Sequence, residues 1–280
     1  MPDPTDLPCW ADTPFGAASI AVPGARLFVV DTGGGGTPLV LLHANTSTVE
    51  SWKPQLTAFH AAGHRVIAFD RRGWGLSVAQ PATGEQPGTI AQDLEALAGE
   101  LGLDRFHLLG VAGGGFAALD YAAWQPSRVT RLIVAASNGQ FSESEMQAFS
   151  ARIAVPGLTG RLEVRPYLEV GAAYRAEDPD GFQRFIAMEH AARQPQAPAQ
   201  PLRTPNTFAK VSTIAAPTLI VMAGADLLAP PALMRAWARH LPDARFAEIG
   251  DAGHSINWER PDAFNRIVLD FLAEPIRSSA

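Results

Sequence analysis

Two residues that can move a proton follow predicted strands near the end of the chain. Asp226 comes soon after the apolar run Pro217–Met222, and His254 follows the run Arg245–Ile249. A histidine held by a carboxylate can act as a general base, because the acid fixes the tautomer and stabilises the imidazolium. The pair therefore predicts a proton-transfer dyad.

A glycine-rich turn follows another predicted strand, Phe106–Gly110. The turn reads Gly110-Val111-Ala112-Gly113-Gly114, so small residues stand where a strand and a helix can close tightly together. The first N–H groups of a helix that begins there have no partner within the helix and favour negative charge. We therefore expect the N–H of Gly113 to be one donor of an oxyanion hole, and the N–H of Asn45, in an earlier loop, to be the other.

The elements that must position these residues follow an alternating pattern. Ser19–Val22 and Arg26–Val30 flank Pro23-Gly24, which predicts an antiparallel hairpin. Strands that are apolar at consecutive positions then alternate with helices, such as one expected over Phe116–Trp124. This alternation predicts an α/β fold with a doubly wound, mostly parallel sheet. In such sheets functional residues gather beyond the carboxyl ends of the strands.

The alternation stops between residues 142 and 210, where helical signals occur without a strand signal. We predict a helical cap over 142–210, inserted into a core domain formed by residues 18–141 and 211–280. Residues 1–17 form a Pro-rich leader, which contains Cys9.

Taken in chain order, the turn Gly110–Gly114, Asp226 and His254 resemble the motifs of the α/β-hydrolase superfamily. The resemblance covers about residues 18–273. In that family an elbow of the form G-x-S-x-G presents a nucleophilic serine, and the acid and the histidine follow in chain order. The resemblance implies that Asp226 is the acid, that His254 is the histidine, and that Ala112 stands at the nucleophile position. A dinucleotide loop is a poor alternative, because it needs the spacing G-x-G-x-x-G near the start of a βαβ unit.

An alanine cannot form an acyl-enzyme, which leaves three hypotheses. In the first, which we favour, a His254–Asp226 dyad activates water or deprotonates the substrate directly, with an ester, lactone, carbamate or C–C bond as the target. In the second, the chain is an engineered serine-to-alanine variant of an ordinary serine hydrolase. In the third, it is a non-catalytic protein that binds small molecules on the hydrolase scaffold.

The superfamily itself offers precedents for an enzyme without the serine. It includes a pyrimidine-degradation hydrolase with alanine at the elbow, and cofactor-free dioxygenases and lyases in which a His–Asp pair is the base. Lyase or oxygenase chemistry therefore stays open. The run Gly113-Gly114-Gly115 suggests unusual room beside Ala112, which favours a natural alanine.

Other polar residues have expected supporting roles. We expect His43 to support the oxyanion loop, Trp74 to line the pocket, and the turn Asp70-Arg71-Arg72 to shape the loop beneath the site. Glu189-His190 is expected on a solvated helix face. Ser137 and Thr46 are poor substitutes for the missing hydroxyl, since each lies on a different strand end from Ala112.

The composition of the chain narrows the classes of molecule that the protein is expected to bind. The net charge is −6 over 280 residues, without the basic patch of a nucleic-acid-binding protein. Neither a signal peptide nor an apolar run of about 18 residues is present, so a cytoplasmic protein without membrane contact is expected. One cysteine excludes an internal disulfide and a multi-cysteine metal site. No metal or cofactor is implied. The expected partner is a small organic molecule, for which the arginines of the helical region leave a carboxylate group open, and a homodimer also stays open.

Overall fold

A single mixed sheet organises the chain. The computed structural model describes residues 14–154, 156–158, 160–195, 197 and 199–275. In this part of the chain the strands are β1 (Gly16–Val22), β2 (Ala25–Asp31), β3 (Pro38–Leu42), β4 (Arg65–Phe69), β5 (Val78–Ala79), β6 (Phe106–Val111), β7 (Val129–Ala135), β8 (Thr218–Ala223) and β9 (Ala244–Ile249). Cys9 and most of the predicted leader lie outside the described residues, and β1 begins inside the predicted leader.

The topology of the sheet confirms the predicted fold class. The strand order is β1-β2-β4-β3-β6-β7-β8-β9, with the short β5 beside β2. The hairpin β1–β2 is antiparallel, and β2 joins β4 in antiparallel fashion. From β4 to β9 every neighbouring pair is parallel. The carboxyl ends of these six strands therefore meet at one edge of the sheet.

Helices cover both faces of the sheet. They are α1 (Lys53–Ala61), α2 (Ile90–Glu100), α3 (Gly113–Trp124), α4 (Ser144–Ile153), α5 (Arg165–Glu169), α6 (Ala172–Glu177), α7 (Pro179–Ala192), α8 (Phe208–Val211), α9 (Pro231–Ala238), α10 (Ile256–Glu259) and α11 (Pro261–Ala273). Successive residues of β3 point to opposite faces, with Val40 in one apolar core and Leu41 in the other. Burial on both faces explains why the strand is apolar at consecutive positions.

Local signals fix several helix ends. The Thr89 hydroxyl oxygen accepts a hydrogen bond from the Gln92 N–H, and the Gln92 side-chain oxygen accepts one from the Thr89 N–H, which forms a capping box at the start of α2. The Asp178 side chain caps α7, and Pro179 stands in its first turn. The predicted start of α3 at Phe116 was wrong by three residues, because the glycines Gly113–Gly115 are helical despite their low helix propensity.

The segment 142–210 contains α4 to α7 and all of α8 except its last residue, and no strand of the sheet lies among its described residues. We call it the helical segment. The described helices include none that is both long enough and apolar enough to span a bilayer.

A buried ion pair anchors the loop after β4. Arg72 Nη2 lies 2.5 Å from Asp93 Oδ1, and both side chains are almost wholly buried. The same guanidinium donates to the carbonyls of Pro23 and Glu85. The pair therefore joins the loop to the hairpin and to α2, which keeps the neighbouring residues Arg71 and Trp74 in place.

We expect Asp93→Ala to lower the free energy of unfolding by about 3–5 kcal/mol, because it leaves the Arg72 guanidinium buried without its counter-ion. Chemical denaturation measures this change. The matched control is Glu163→Ala, which breaks an exposed ion pair with Arg161 and should cost at most about 1 kcal/mol. Equal losses in the two variants would show that Asp93 is not a structural anchor.

Candidate active site

A strained residue marks the end of β6. Ala112 has a φ of 51° and a ψ of −114°, a backbone conformation that residues with a side chain rarely adopt. Such conformations cost on the order of 1–3 kcal/mol and persist only where the surroundings enforce them. The sharp turn carries the chain from β6 directly into α3, so the side chain of Ala112 stands at the carboxyl edge of the sheet.

Hydrogen bonds from both neighbouring elements hold this turn. The Ala112 N–H donates to the Ala135 carbonyl over 2.9 Å, which ties the elbow to β7. The Ala112 carbonyl accepts from the Ser137 hydroxyl over 2.7 Å and from the Gly115 N–H over 3.0 Å. Ser137 is thereby committed to the backbone of the elbow, which agrees with its rejection as a substitute nucleophile.

The glycines of the elbow are required by close packing. A Cβ on Gly110 would overlap the Gly114 carbonyl, as expected where a strand and a helix close together. A Cβ on Gly113 would overlap the Asn45 side chain, and one on Gly115 would meet the Ser137 hydroxyl. The expectation of unusual room beside Ala112 was therefore wrong, because neighbouring atoms already occupy the space of each missing Cβ.

Two backbone N–H groups are available beside the elbow. Gly113 is the first residue of α3, so its N–H has no acceptor within the helix. The Asn45 N–H has no hydrogen-bond partner among the described residues, and the Asn45 side chain packs against Gly113. The predicted oxyanion donors are thus neighbours. The Trp74 ring N–H donates to the Asn45 carbonyl over 2.8 Å and helps to fix this loop.

His43 is built into the loop as a neutral support. Its Nδ1 lies 2.8 Å from the Ala44 carbonyl, and its Nε2 accepts the Arg71 N–H over 3.0 Å. These contacts require a proton on Nδ1 and none on Nε2. Complete burial, followed by the nearby Arg71 charge, holds the pKa of His43 well below its usual value. With both ring nitrogens engaged, His43 is poorly placed to transfer protons.

The predicted acid and base lie in direct contact. Asp226 Oδ2 is 2.8 Å from His254 Nδ1. The other oxygen of Asp226 accepts the N–H groups of Leu228 and Ala229 over 2.7 and 2.9 Å, which fixes the carboxylate from its own loop. His254 therefore presents Nε2, which has no partner among the described residues, as its proton-accepting atom.

A buried carboxyl group that the sequence analysis missed lies beside the dyad. Glu169, at the end of α5, accepts a hydrogen bond from the Thr46 hydroxyl over 2.6 Å. Its carbonyl accepts the Ser255 N–H over 2.9 Å, so the chain next to His254 is tied to the helical segment. Thr46 is thus engaged with Glu169. No motif marks Glu169, since its role depends on how the helical segment folds back.

Negative charge around His254 decides its protonation. Burial alone would lower the pKa of His254, but the charge of Asp226 and its hydrogen bond, together with the charges of Glu169 and Glu259, raise the pKa to about 9. Glu259 is fixed by the N–H groups of Gly253 and Gly171, over 2.8 and 3.0 Å. The imidazole is consequently a stronger base than a free histidine.

Two cavities adjoin this group of residues. One has a volume of about 420 Å³ and a lining that is about half polar, and we call it the polar cavity; the residues that line it include Asn45, Gly113, Trp74, Arg71, Arg193 and Glu169. The other has a volume of about 320 Å³ and is mainly apolar, and the residues that line it include Ile153, Leu158, Leu162, Leu168, Leu227 and Leu228. Arg165 and Glu169 line both cavities, so the two spaces adjoin across the helical segment.

The expectation that Glu189 and His190 both lie on a solvated helix face was half wrong. His190 is exposed as expected, but Glu189 is 3% exposed, lines the polar cavity and pairs with Arg165. The charge of Glu189 predicts exposure to solvent, but in the structure the charge of Arg165 balances it. Within the described part of the chain no group of three or more His, Cys, Asp or Glu residues could hold a metal ion.

The comparison with known proteins identifies the family. The model of the Alpha/beta hydrolase family matches residues 39–267, a range that contains the elbow, both predicted oxyanion donors and the predicted dyad. The chain belongs to the Alpha/beta hydrolase family. The sequence resemblance to this superfamily is therefore confirmed, while the individual roles of the site residues stay predictions.

Relatives of this α/β-hydrolase are named as hydrolases. A putative carbamate hydrolase RutD from Variovorax paradoxus is 32% identical, over 79% of this chain and 86% of that protein. A 2-hydroxy-6-oxononadienedioate/2-hydroxy-6-oxononatrienedioate hydrolase from Paraburkholderia phymatum is 28% identical, over 89% and 91%. A thermophilic esterase of solved structure from Thermogutta terrifontis is 26% identical, with a TM-score of 0.75 over 93% of this chain and 98% of that one.

The effect of the surrounding charges on the pKa of His254 can be tested without a substrate. We expect an NMR titration to give His254 a pKa near 9, and Glu169→Gln to lower that pKa, because the variant removes a negative charge that stabilises the imidazolium. Asp226→Asn should lower it further. The signal is assigned by its loss in His254→Gln. An unchanged pKa in Glu169→Gln would contradict the proposed coupling.

Proposed function

We propose that this α/β-hydrolase cleaves a small organic ester, lactone, carbamate or C–C substrate by attack of water, without a covalent intermediate. His254 takes a proton from the water, Asp226 stabilises the imidazolium, and the N–H groups of Asn45 and Gly113 hold the developing oxyanion. The observation that carries this proposal is the 2.8 Å contact between His254 Nδ1 and Asp226 Oδ2, which leaves Nε2 as the proton acceptor.

The alanine at the elbow suits direct attack. A methyl group lacks the hydroxyl of serine, and in this proposal a water oxygen takes the place of that hydroxyl beside the base. In serine hydrolases that lose the nucleophile, the oxyanion hole and substrate binding still supply roughly a thousandfold to ten-thousandfold acceleration over water. A dyad that activates water adds general-base catalysis, worth typically about 10²–10⁴-fold.

The proton balance closes within the dyad. Water gives one proton to His254 as its oxygen bonds to the substrate carbonyl, and the imidazolium returns that proton to the leaving group when the tetrahedral intermediate collapses. The negative charges of Asp226, Glu169 and Glu259 favour the imidazolium, which makes the first transfer easier and the second harder. The same basicity also favours a second candidate, direct abstraction of a proton from an acidic carbon of the substrate.

The helical segment completes the site in this proposal. Arg165 and Glu169 from α5 and Glu189 from α7 line the polar cavity, which supports its assignment as a cap. The relatives are named for carbamates, oxo-dioates and esters, and this range supports hydrolysis as a reaction type.

We expect His254→Ala to lower kcat by about 10²–10⁴-fold, because the variant removes the general base but keeps the oxyanion donors. The assay is initial-rate hydrolysis of a panel of small esters, lactones and carbamates. The wild-type rate should also rise with pH towards about 9, as the neutral imidazole forms.

His60→Ala is the matched control, since His60 is an exposed histidine of α1. Its rate should equal that of the wild type. Turnover that survives in His254→Ala would rule out the dyad mechanism. Ligand binding without any turnover that depends on His254 would instead indicate a binding protein.

A further inference from the structure

Two arginines that follow one another in the sequence have opposite electrostatic situations. Arg72 is neutralised by Asp93 at 2.5 Å. Arg71 is 4% exposed and lines the polar cavity, yet no described carboxylate lies within ion-pair distance of it. A buried cation is costly unless an anion balances it, so the environment of Arg71 calls for a partner.

The contacts of Arg71 leave donors free. Nη1 donates to the Asn45 side-chain oxygen over 2.8 Å, and Nη2 donates to the Ala44 carbonyl over 3.2 Å. Both acceptors are neutral. The buried Nε–H has no partner among the described residues. The guanidinium also stacks on Trp74, with its carbon 4.4 Å from the ring centroid, so its orientation is fixed before any ligand binds.

A second cation stands next to it. Arg193 lies over the same Trp74 ring at 5.4 Å and also lines the polar cavity. Burial lowers the pKa of Arg71 to about 9; the Asp70 charge opposes this fall and the Arg193 charge adds to it. Asp70 makes no ion pair with Arg71 among the described residues, and its two oxygens accept the N–H groups of Val49 and Leu76. Two neighbouring cations on one wall are stabilised by a bound anion.

The acidic residues of the same cavity each have a partner, although the buried Glu189 Oε2 has none among the described residues. Glu189 pairs with Arg165, and Glu169 accepts the Thr46 hydroxyl. The wall of the cavity that Arg71 and Arg193 form is therefore the part whose positive charge has no described acidic partner. A planar guanidinium with free N–H groups matches a carboxylate in both charge and shape.

We propose that the substrate carries a carboxylate that Arg71 binds, with Arg193 as a second cation, while its reacting carbonyl lies at the N–H groups of Asn45 and Gly113. Because Arg71 hydrogen-bonds to the Asn45 side chain, the anion site adjoins the oxyanion hole. The carboxylate and the reacting carbonyl are therefore separated by only a few bonds. This inference about substrate class rests on the proposed function, but binding of the carboxylate can be measured without turnover.

The test is isothermal titration calorimetry with succinate, and with succinamide as the neutral comparator. We expect the wild type to bind succinate more tightly than succinamide, and Arg71→Gln to weaken succinate binding about tenfold to a hundredfold, the usual range for a lost charge-assisted hydrogen bond. Arg193→Gln should weaken it less. Arg235→Gln is the matched control, because Arg235 is an exposed arginine that pairs with Glu248 away from the cavity.

Equal affinity of the wild type for succinate and succinamide would overturn the proposal, and so would unchanged succinate binding in a folded Arg71→Gln variant. The first comparison needs no variant, so it decides the matter even if Arg71→Gln does not fold.

Hydrolysis of monomethyl succinate and methyl butyrate separates the carboxylate site from the proposed function. Succinate binding that depends on Arg71, without hydrolysis of either ester, would support the carboxylate site and count against the proposed function. Hydrolysis of methyl butyrate that depends on His254, without succinate binding, would do the reverse.

Discussion

The positive φ of Ala112 is the constraint on which the rest of the site depends. This conformation turns the chain from β6 into α3 within one residue, which aims the helix N-terminus at the carboxyl edge of the sheet. It is stabilised by the hydrogen bonds to Ala135 and Ser137 and by glycines whose missing side chains leave space for neighbouring atoms. Strain kept at such a position is typical of a functional site. The methyl side chain of Ala112 itself makes no hydrogen bond, so the geometry serves the groups around the turn.

Charge is distributed unevenly around that turn. Negative groups surround His254 on one side and make it a stronger base, while Arg71 on the other side lies beside Asn45 and the helix N-terminus. Glu169, whose charge contributes to the basicity of His254, lines the same cavity as Arg71. This separation of charge is what a reaction needs when a proton leaves one atom and negative charge develops on a carbonyl oxygen.

The sequence predicts most of the framework and the dyad, and the reasons are local. Consecutive apolar residues predict buried parallel strands, and the residues after those strands share one edge; the resemblance to α/β hydrolases then pairs Asp226 with His254. The contacts of Glu169, Glu189 and Arg71 could not be predicted, because they depend on how the helical segment and the loop after β4 pack against the sheet. The glycine run was misinterpreted for the same reason. Sequence shows an absent side chain but not the atom that fills its space.

The measurement that tests the central claim most directly is intact-protein mass spectrometry during turnover of p-nitrophenyl acetate, with the wild type and Ala112→Ser compared. The account predicts that the wild type releases p-nitrophenol while its mass stays unmodified, because water attacks directly. Ala112→Ser, with a hydroxyl placed between the oxyanion donors and His254, should accumulate an acetyl group on residue 112. An acetylated intermediate in the wild type would contradict the account.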